Sequence, residues 1–357
     1  MSMTPSPNGS KPFSAVPEPL ANASISAMSD TSTTPLRWGI ASTGGIAEQM
    51  TRALRTLPHA EVVAVGSRSQ ESADRFASEF DIERAHPSHT DLCADPNVDI
   101  IYVASPHSEH HDMTMAALNA GKHVVCEKAF ALNAAEAGEM IESARRNNRF
   151  LMEAMWTWFI PAVVDIRRRV NAGEIGEIVS VDADFCLDIS DPDGRHRQAD
   201  LAGGALLDLG IYPLTFPCFV LGEYPDEVKA IGRLTAGGVD ATVAGVAAFP
   251  SGALSTFQTS LDAVSGLGAR IVGTTGRIDV DPPFWFTSSF TVHSLGADPQ
   301  HVEMPSEGLA HEAAHAMERI RDGHIHSNVV TWDATLRTMQ LLDEVRQQVG
   351  VVYPSER

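Results

Sequence analysis

The run Gly39-Ile40-Ala41-Ser42-Thr43-Gly44-Gly45-Ile46-Ala47 constrains this chain most. It ends a short apolar stretch and opens a segment in which Ile46, Ala47, Met50, Ala53, Leu54 and Leu57 recur at helical spacing. The order is therefore strand, glycine turn, amphipathic helix. Aligned to G-x-G-x-x-G/A, the matching residues are Ser42, Gly44 and Ala47, with the first glycine absent. Gly44 has no Cβ, so main-chain N–H groups can close on a pyrophosphate, and the helix N-terminus adds unpaired donors and a positive dipole. Many strand-to-helix turns use glycine without binding anything. What points to a dinucleotide is the turn's place in the first unit of an alternating chain.

That alternation runs on from Leu36. Arg37 to Ala41, Glu61 to Gly66, Val98 to Ala104, His123 to Glu127 and Phe150 to Met155 read as strands, with helices between them. Asn133 followed by Glu136 has the spacing of a capping box. Beyond Met155 and a helix from Pro161 to about Asn171 the rhythm changes. Val179, Val181, Ala183 and Phe185 alternate with Ser180, Asp182 and Asp184, as in a sheet with one covered face. Further strands are expected at Val228 to Leu234, Ala241 to Phe249, Ala253 to Ser260, Ala269 to Gly273 and Phe290 to His293. A long irregular helix is expected at about Gly204 to Leu221, with closing helices near Glu312 to Arg321 and Trp332 to Val349. The expected fold class is α/β: a doubly wound parallel sheet over 36–155, then an α/β domain over 156–357 with a mixed, mostly antiparallel open sheet. The last helix is free to pack back on the first domain.

With 357 residues, 43% of them hydrophobic, the chain can bury two cores. Its 46 acidic against 26 basic residues give a formal charge of −20, which argues against nucleic acid or anionic membrane as a partner. No continuous apolar run is expected to span a membrane. Cys93, Cys126, Cys186 and Cys218 are widely spaced and read as small core residues of a reducing compartment. Residues 1–35 are rich in Ser, Thr, Pro and Ala and carry neither an apolar core nor an arginine. A disordered tail on a cytoplasmic protein is the expectation.

The second strand ends Gly66-Ser67-Arg68-Ser69, where an NAD-binding protein usually places an acid for the ribose 2′-hydroxyl. A guanidinium there suits a 2′-phosphate, which a carboxylate would repel. NADP(H) is preferred on this ground, with NAD(H) possible. Three further segments carry polar groups: Ser105 to His110, Cys126-Glu127-Lys128-Ala129, and Gly203 to Pro213 with Asp208 and Tyr212 four residues apart. Asp208 and Tyr212 share a helix face at that spacing. Spacing alone does not join the three segments.

WGIASTGGIA (38–47), SPHSEHH (105–111), CEKAFALN (126–133), MEAMWTWFIP (152–161), GEIGEI (173–178), GGALLDLGIYPL (203–214) and GTTGRI (273–278) together resemble the glucose-fructose oxidoreductase / inositol dehydrogenase / rhizopine-catabolism (Gfo/Idh/MocA) family. The resemblance extends from Leu36 to the C-terminus and is nearest the branch of dimeric dihydrodiol dehydrogenase and NADP-linked xylose dehydrogenases. It implies an NAD(P)-dependent oxidoreductase that interconverts a secondary alcohol and a carbonyl on a sugar, cyclic polyol or dihydrodiol. A nucleotide-sugar ketoreductase is the alternative within the family. The resemblance makes Lys128 and Tyr212 the acid/base pair, fixed or polarised by Asp208. An ammonium beside Tyr212 is expected to favour its phenolate. Ser42, Thr43, Gly44, Ile46, Ser67, Arg68, Pro106, His107, His110, Glu127, Lys128 and Trp156 are implied to line the cofactor. Arg195 and Phe159 are implied near substrate, and the C-terminal sheet as the contact of a homo-dimer or homo-tetramer. Three positions depart from the pattern: Ala129 replaces a common proline and is expected to loosen the turn. Trp158 stands where the branch carries an arginine near the cofactor. Tyr212 replaces the histidine of the inositol dehydrogenases.

His311-Glu312-Ala313-Ala314-His315 satisfies H-E-x-x-H, so a zinc hydrolase is the competing reading from another class. The extended pattern fails, because Glu318 and Arg321 stand where a glycine and a third histidine would be needed. No metal is expected.

Overall fold

The computed structural model describes residues 34–189 and 191–356; the tail expected over 1–35 lies, but for its last two residues, outside the described residues. Six strands, β1 Leu36–Ala41, β2 Ala60–Gly66, β3 Arg84–His86, β4 Ile100–Val103, β5 His123–Glu127 and β6 Leu151–Ala154, form a sheet in the order β3-β2-β1-β4-β5-β6. Every pair in it is parallel. β4 and β6 are buried at all four positions and β5 at four of five; β4 accordingly reads as an unbroken apolar run, while β5 and β6 each bury a glutamate, Glu127 and Glu153. The order reverses between β1 and β4, so the loops leaving β1, β4 and β5 open into one crevice.

Local signals set the helix starts. Ser69 accepts from the Ser72 N–H ahead of Gln70–Glu79, and Asn133 accepts from the Glu136 N–H ahead of Ala134–Asn147. The Glu136 carboxylate accepts in turn from the Leu132 N–H, a box displaced by one residue from the expected reciprocal pair. Pro161 occupies the first turn of Pro161–Asn171, where its missing N–H costs nothing.

The second sheet has eight strands: β7 Ile178–Cys186, β8 Glu227–Leu234, β9 Asp240–Ala248, β10 Leu254–Ser260, β11 Ala269–Gly273, β12 Gly276–Val280, β13 Ser289–Ser294 and β14 Gln300–Glu303. Their order is β14-β13-β12-β11-β7-β10-β9-β8, antiparallel throughout except for β10 against β7. In β7, Val181, Ala183 and Phe185 are buried as the alternation predicts, but Val179 at the strand's start is 51% exposed.

β3, β12, β14 and the helix His89–Ala94 were not expected from the sequence. β3 and β14 are three or four residues long with no buried position, and β12 alternates only weakly, so none carries a clear apolar period.

The expected helix near Gly204 to Leu221 is a π-helical turn, Leu206–Gly210, running into the α-helix Ile211–Leu221. Contrary to the expectation of no membrane-length apolar run, Ala199–Leu221 is long and apolar enough to cross a membrane; 94% of its most apolar 18-residue window is buried inside the fold. It is a core element covered on all sides. The helix Trp332–Val349 ties the two sheets together. Its Thr335 hydroxyl donates to Glu153 of β6 at 3.0 Å, its Asp343 carboxylate accepts from the Ala134 N–H at 2.8 Å, and its Gln348 accepts from the Ala230 N–H of β8 at 2.8 Å.

Candidate active site

The turn after β1 keeps the geometry of the glycine loop without its first glycine. Ser42 adopts φ +109°, a region that side chains rarely enter, and its N–H donates to the Gly66 carbonyl at 2.9 Å. Gly44 precedes the helix Gly45–Leu54 and offers no side-chain cap, so the first-turn N–H groups stay open. A Cβ on Gly44 or Gly45 would meet nothing within 4 Å, which leaves room above the helix start for a ligand. Ile46 is half-buried beside the turn and Thr43 lies within it. Ser67, at the end of β2, is buried, while Arg68 is exposed and makes no ion pair among the described residues. The nearby His89 imidazole is pushed down by burial and by the Arg68 charge.

After β4, Pro106 leads into His107 and His110, both buried. His107 Nδ1 lies 3.2 Å from the Ala202 carbonyl oxygen; His110 lies 2.8 Å from the Ala129 carbonyl through Nδ1 and 3.0 Å from the Ser105 carbonyl through Nε2. The hydroxyls of Ser105 and Ser108 are buried here without a hydrogen-bond partner.

β5 delivers Glu127 and Lys128. Glu127 is buried, accepts from the Tyr102 hydroxyl and from the Lys128 N–H, and has its carboxyl pushed up by burial. The Lys128 ammonium donates to the Asp208 carbonyl oxygen at 2.7 Å, stands 3.4 Å from Asp208 Oδ1, and lies 5.0 Å from the centre of the Tyr212 ring. Ala129 is fully buried and its carbonyl oxygen lies 2.8 Å from His110 Nδ1, so the turn is not the loosened one expected from the missing proline.

Asp208 and Tyr212 reach this point because the chain before them is tightly folded. Gly204 has φ +126°, and a Cβ there would come within 2.3 Å of Asp240 Oδ1. Asp240 in turn accepts from the Leu206 N–H at 2.6 Å and fixes the start of the π-helical turn. Asp208 is met by Arg195 at 3.2 Å and by His196 at 2.7 Å. Burial works to raise its carboxyl, but Lys128, the His196 hydrogen bond and Arg195 outweigh burial and hold it well below the usual carboxylate range.

Tyr212 is pushed the other way. Burial and the Glu127 charge raise its phenol well above 10, and Asp208 and Glu312 add to this; the hydrogen bond from Trp156, at 2.6 Å, opposes them. The expected phenolate is thereby corrected: burial of the ring, with the Glu127 charge beside it, favours the neutral phenol, although the Lys128 ammonium lies 5.0 Å from the ring centre.

Sequence reading missed an aromatic wall. Trp285 stacks on Phe185 at 3.5 Å, lies 6.2 Å from the Tyr212 ring, and is anchored by its carbonyl to the Thr157 hydroxyl. Phe286, 40% exposed, rests 5.1 Å from Trp156. The aromatic density of Phe284-Trp285-Phe286 was the available signal. His196 was missed too, being one of several polar residues in a charged loop. Trp158, where the branch carries an arginine, is 3% exposed and stacks on Phe219 at 5.1 Å. Phe159 is half-buried with its ring 5.0 Å from His315.

The zinc reading finds no support in this geometry. His315 Nε2 lies 2.8 Å from the Ser327 hydroxyl, His311 Nε2 lies 2.9 Å from Glu307, and Glu312 is fully buried with no hydrogen-bond partner. Among the described residues no three metal-ligating side chains converge.

Comparison with known proteins agrees with the folded arrangement. Residues 36–155 match the family described as oxidoreductases with an NAD-binding Rossmann fold, and residues 163–279 match the GFO/IDH/MocA C-terminal domain. The chain is 35% identical over 340 residues to trans-1,2-dihydrobenzene-1,2-diol dehydrogenase of Bos taurus, covering 90% of this chain and 99% of the bovine one. It is 35% identical over 366 residues to D-xylose 1-dehydrogenase (NADP(+)) of Hypocrea jecorina, covering 89% and 93%. A 3-ketoreductase from Actinomadura kijaniata, solved with NADP and TDP-benzene, superposes with a TM-score of 0.81 at 25% identity over 88% of this chain and 98% of its own. On the family match over both sheets and on these full-length relatives, the chain belongs to the GFO/IDH/MocA family of oxidoreductases.

Proposed function

We propose that this protein is an NADP(H)-dependent dehydrogenase that interconverts a secondary alcohol and a carbonyl on a sugar, cyclic polyol or dihydrodiol. The observation that carries this reading is the meeting of Lys128, which follows β5, with Asp208 and Tyr212 of a distant segment of the chain. The names of the relatives, a dihydrodiol dehydrogenase and an NADP-linked xylose dehydrogenase, support the substrate class.

The residues present fit a dinucleotide. Open space over Gly44 and Gly45, the uncapped helix start and the unpartnered Ser105 and Ser108 hydroxyls are what such a ligand needs. Ser42, Thr43, Gly44 and Ile46 would hold the pyrophosphate side, Ser67 and Arg68 the 2′-phosphate, and Pro106, Glu127, Lys128 and Trp156 the reacting end. The bound nicotinamide supplies hydride donor or acceptor chemistry.

The chain's own groups manage the proton. Tyr212, with its hydroxyl oriented by Trp156, gives a proton to the carbonyl oxygen in reduction and takes one from the alcohol in oxidation. Lys128 donates to the same substrate oxygen and is oriented for this by its bond to the Asp208 carbonyl. Asp208, held in turn by Arg195 and His196, fixes that lysine. The aromatic wall of Trp285 and Phe286 offers a face against which an apolar ring surface packs, and Arg195, 43% exposed, reaches toward a polyol.

Self-association through the open face of the second sheet is part of this reading, supported by Ile231 at 80% exposure, Leu254 at 57% and Val246 at 52%. Purified protein offered aldoses, inositols and cyclic diols with NADP⁺ and with NAD⁺ should reduce NADP⁺ with at least one of them. No reduction of either cofactor across the panel would overturn the reading. Reduction of a keto nucleotide-sugar alone would move it to the ketoreductase branch.

A further inference from the structure

His110 is fully buried at the start of the helix His110–Asn119, and both of its ring nitrogens face main-chain carbonyls: Ala129 at 2.8 Å from Nδ1 and Ser105 at 3.0 Å from Nε2. A carbonyl oxygen only accepts, so each contact needs a hydrogen on the ring nitrogen. A neutral imidazole carries one. Burial pushes His110 down to about 4, and Lys128 acts in the same direction, so the ring is neutral at neutral pH and its single proton must be placed on one side. The shorter contact is the one to Ala129.

Ala129 directly follows Lys128. Its carbonyl lies at the turn from which the lysine side chain reaches Asp208. Beside His110, the His107 ring stands edge-on at 5.5 Å and directs Nδ1 to the Ala202 carbonyl, in the loop that leads into the turn bearing Asp208. Burial, with the Lys128 charge, pushes His107 down to about 3 against the opposing pull of Asp208, so it is neutral as well. The two imidazoles thus span the chain segments that carry Lys128 and Tyr212.

We propose that His110 is a positioning residue for Lys128, acting through an Nδ1–H bond to the Ala129 carbonyl that sets the lysine against Asp208 and Tyr212, and that it is not a contact of the dinucleotide. The proposal rests on the reading of Lys128 as a catalytic group. It has a geometric signature, because an asparagine amide takes the place of Nδ1 whereas a glutamine amide takes the place of Nε2.

The test compares His110→Asn and His110→Gln in the full-length protein, by steady-state turnover and by fluorescence titration with NADPH. His110→Gln should lower kcat by about 100-fold, the scale of a small misplacement of a reacting group, and His110→Asn should recover most of that loss. The NADPH dissociation constant should stay within about threefold for both. Equal losses in the two variants, or weakened NADPH binding with kcat intact, would overturn the proposal. Should both variants unfold, nitrogen-15 NMR of histidine-labelled wild-type protein decides: a proton on Nδ1 of His110 is expected, and a proton on Nε2 alone overturns it. Lys128→Met separates the two readings, since full turnover in that variant removes Lys128 from catalysis whatever tautomer His110 shows.

Discussion

Lys128 approaches Tyr212 across the face of the ring: its ammonium lies 5.0 Å from the ring centre, while the phenol oxygen takes a hydrogen bond from Trp156. At that distance the ammonium makes a cation–π contact with the ring. Asp208 holds the ammonium at that station through its carbonyl and carboxylate together. A substrate oxygen placed between ammonium and phenol would complete the set.

Tyr212→Phe should lower turnover by about 100- to 10,000-fold, the usual worth of a positioned acid or base, while NADPH affinity stays as in the parent. Stopped-flow turnover and a binding titration on the same preparation check this. Undiminished turnover would remove Tyr212 from the mechanism.

The raised phenol gives the reaction a direction-dependent pH response. At pH 7 Tyr212 is the neutral acid, which is the form reduction needs, whereas oxidation needs the base. Oxidation should accelerate by roughly tenfold for each pH unit between about 7 and 9, and reduction should stay level there. An oxidation rate independent of pH across that interval would contradict the protonation state inferred from the burial of the ring.

Arg68→Asp should move cofactor preference from NADP toward NAD, because a carboxylate repels the 2′-phosphate and accepts from a 2′-hydroxyl. The ratio of kcat/KM for the two cofactors is the measurement. A ratio equal to the parent's would mean that Arg68, exposed at the end of β2, is only a solvated surface charge.

Glu153 supplies a stability prediction. It is buried, accepts from the Thr335 hydroxyl through one oxygen, and leaves the other unpartnered; burial pushes its carboxyl up from 4.5 to about 7. The unfolded chain releases this proton near the ordinary carboxyl value while the folded protein keeps it, so stability falls as pH rises from there to about 7. The full penalty is about 3 kcal/mol. Glu153→Gln should raise the urea midpoint at pH 8 and change it little at pH 4. Parallel pH dependences for parent and variant would show that Glu153 ionises freely in the fold.

Much of the framework is local and was legible. Asn133 and Pro161 mark helix starts by their own conformational preferences, and β4 announces burial by an unbroken apolar run. Ser42 shows where local reading is weakest. Its side chain argues against the left-handed turn it adopts, and neighbouring bonds, not its own preference, hold it there. β3 and β14 were invisible because strands exposed at the edges of sheets need no apolar period.

What the amino-acid order determined by itself is the alternation of strand and helix, the glycine turn and the identity of the polar groups, since each depends on neighbours within a few residues. What only the tertiary structure decided is their mutual placement and their charge. Lys128 meets Asp208 and Tyr212 from far along the chain, Trp285 and Phe286 arrive from farther still, and the protonation of Tyr212 and Glu153 follows from burial among those distant groups. Solvent exclusion and electrostatic fields are properties of the assembled interior, and no short window of sequence contains them.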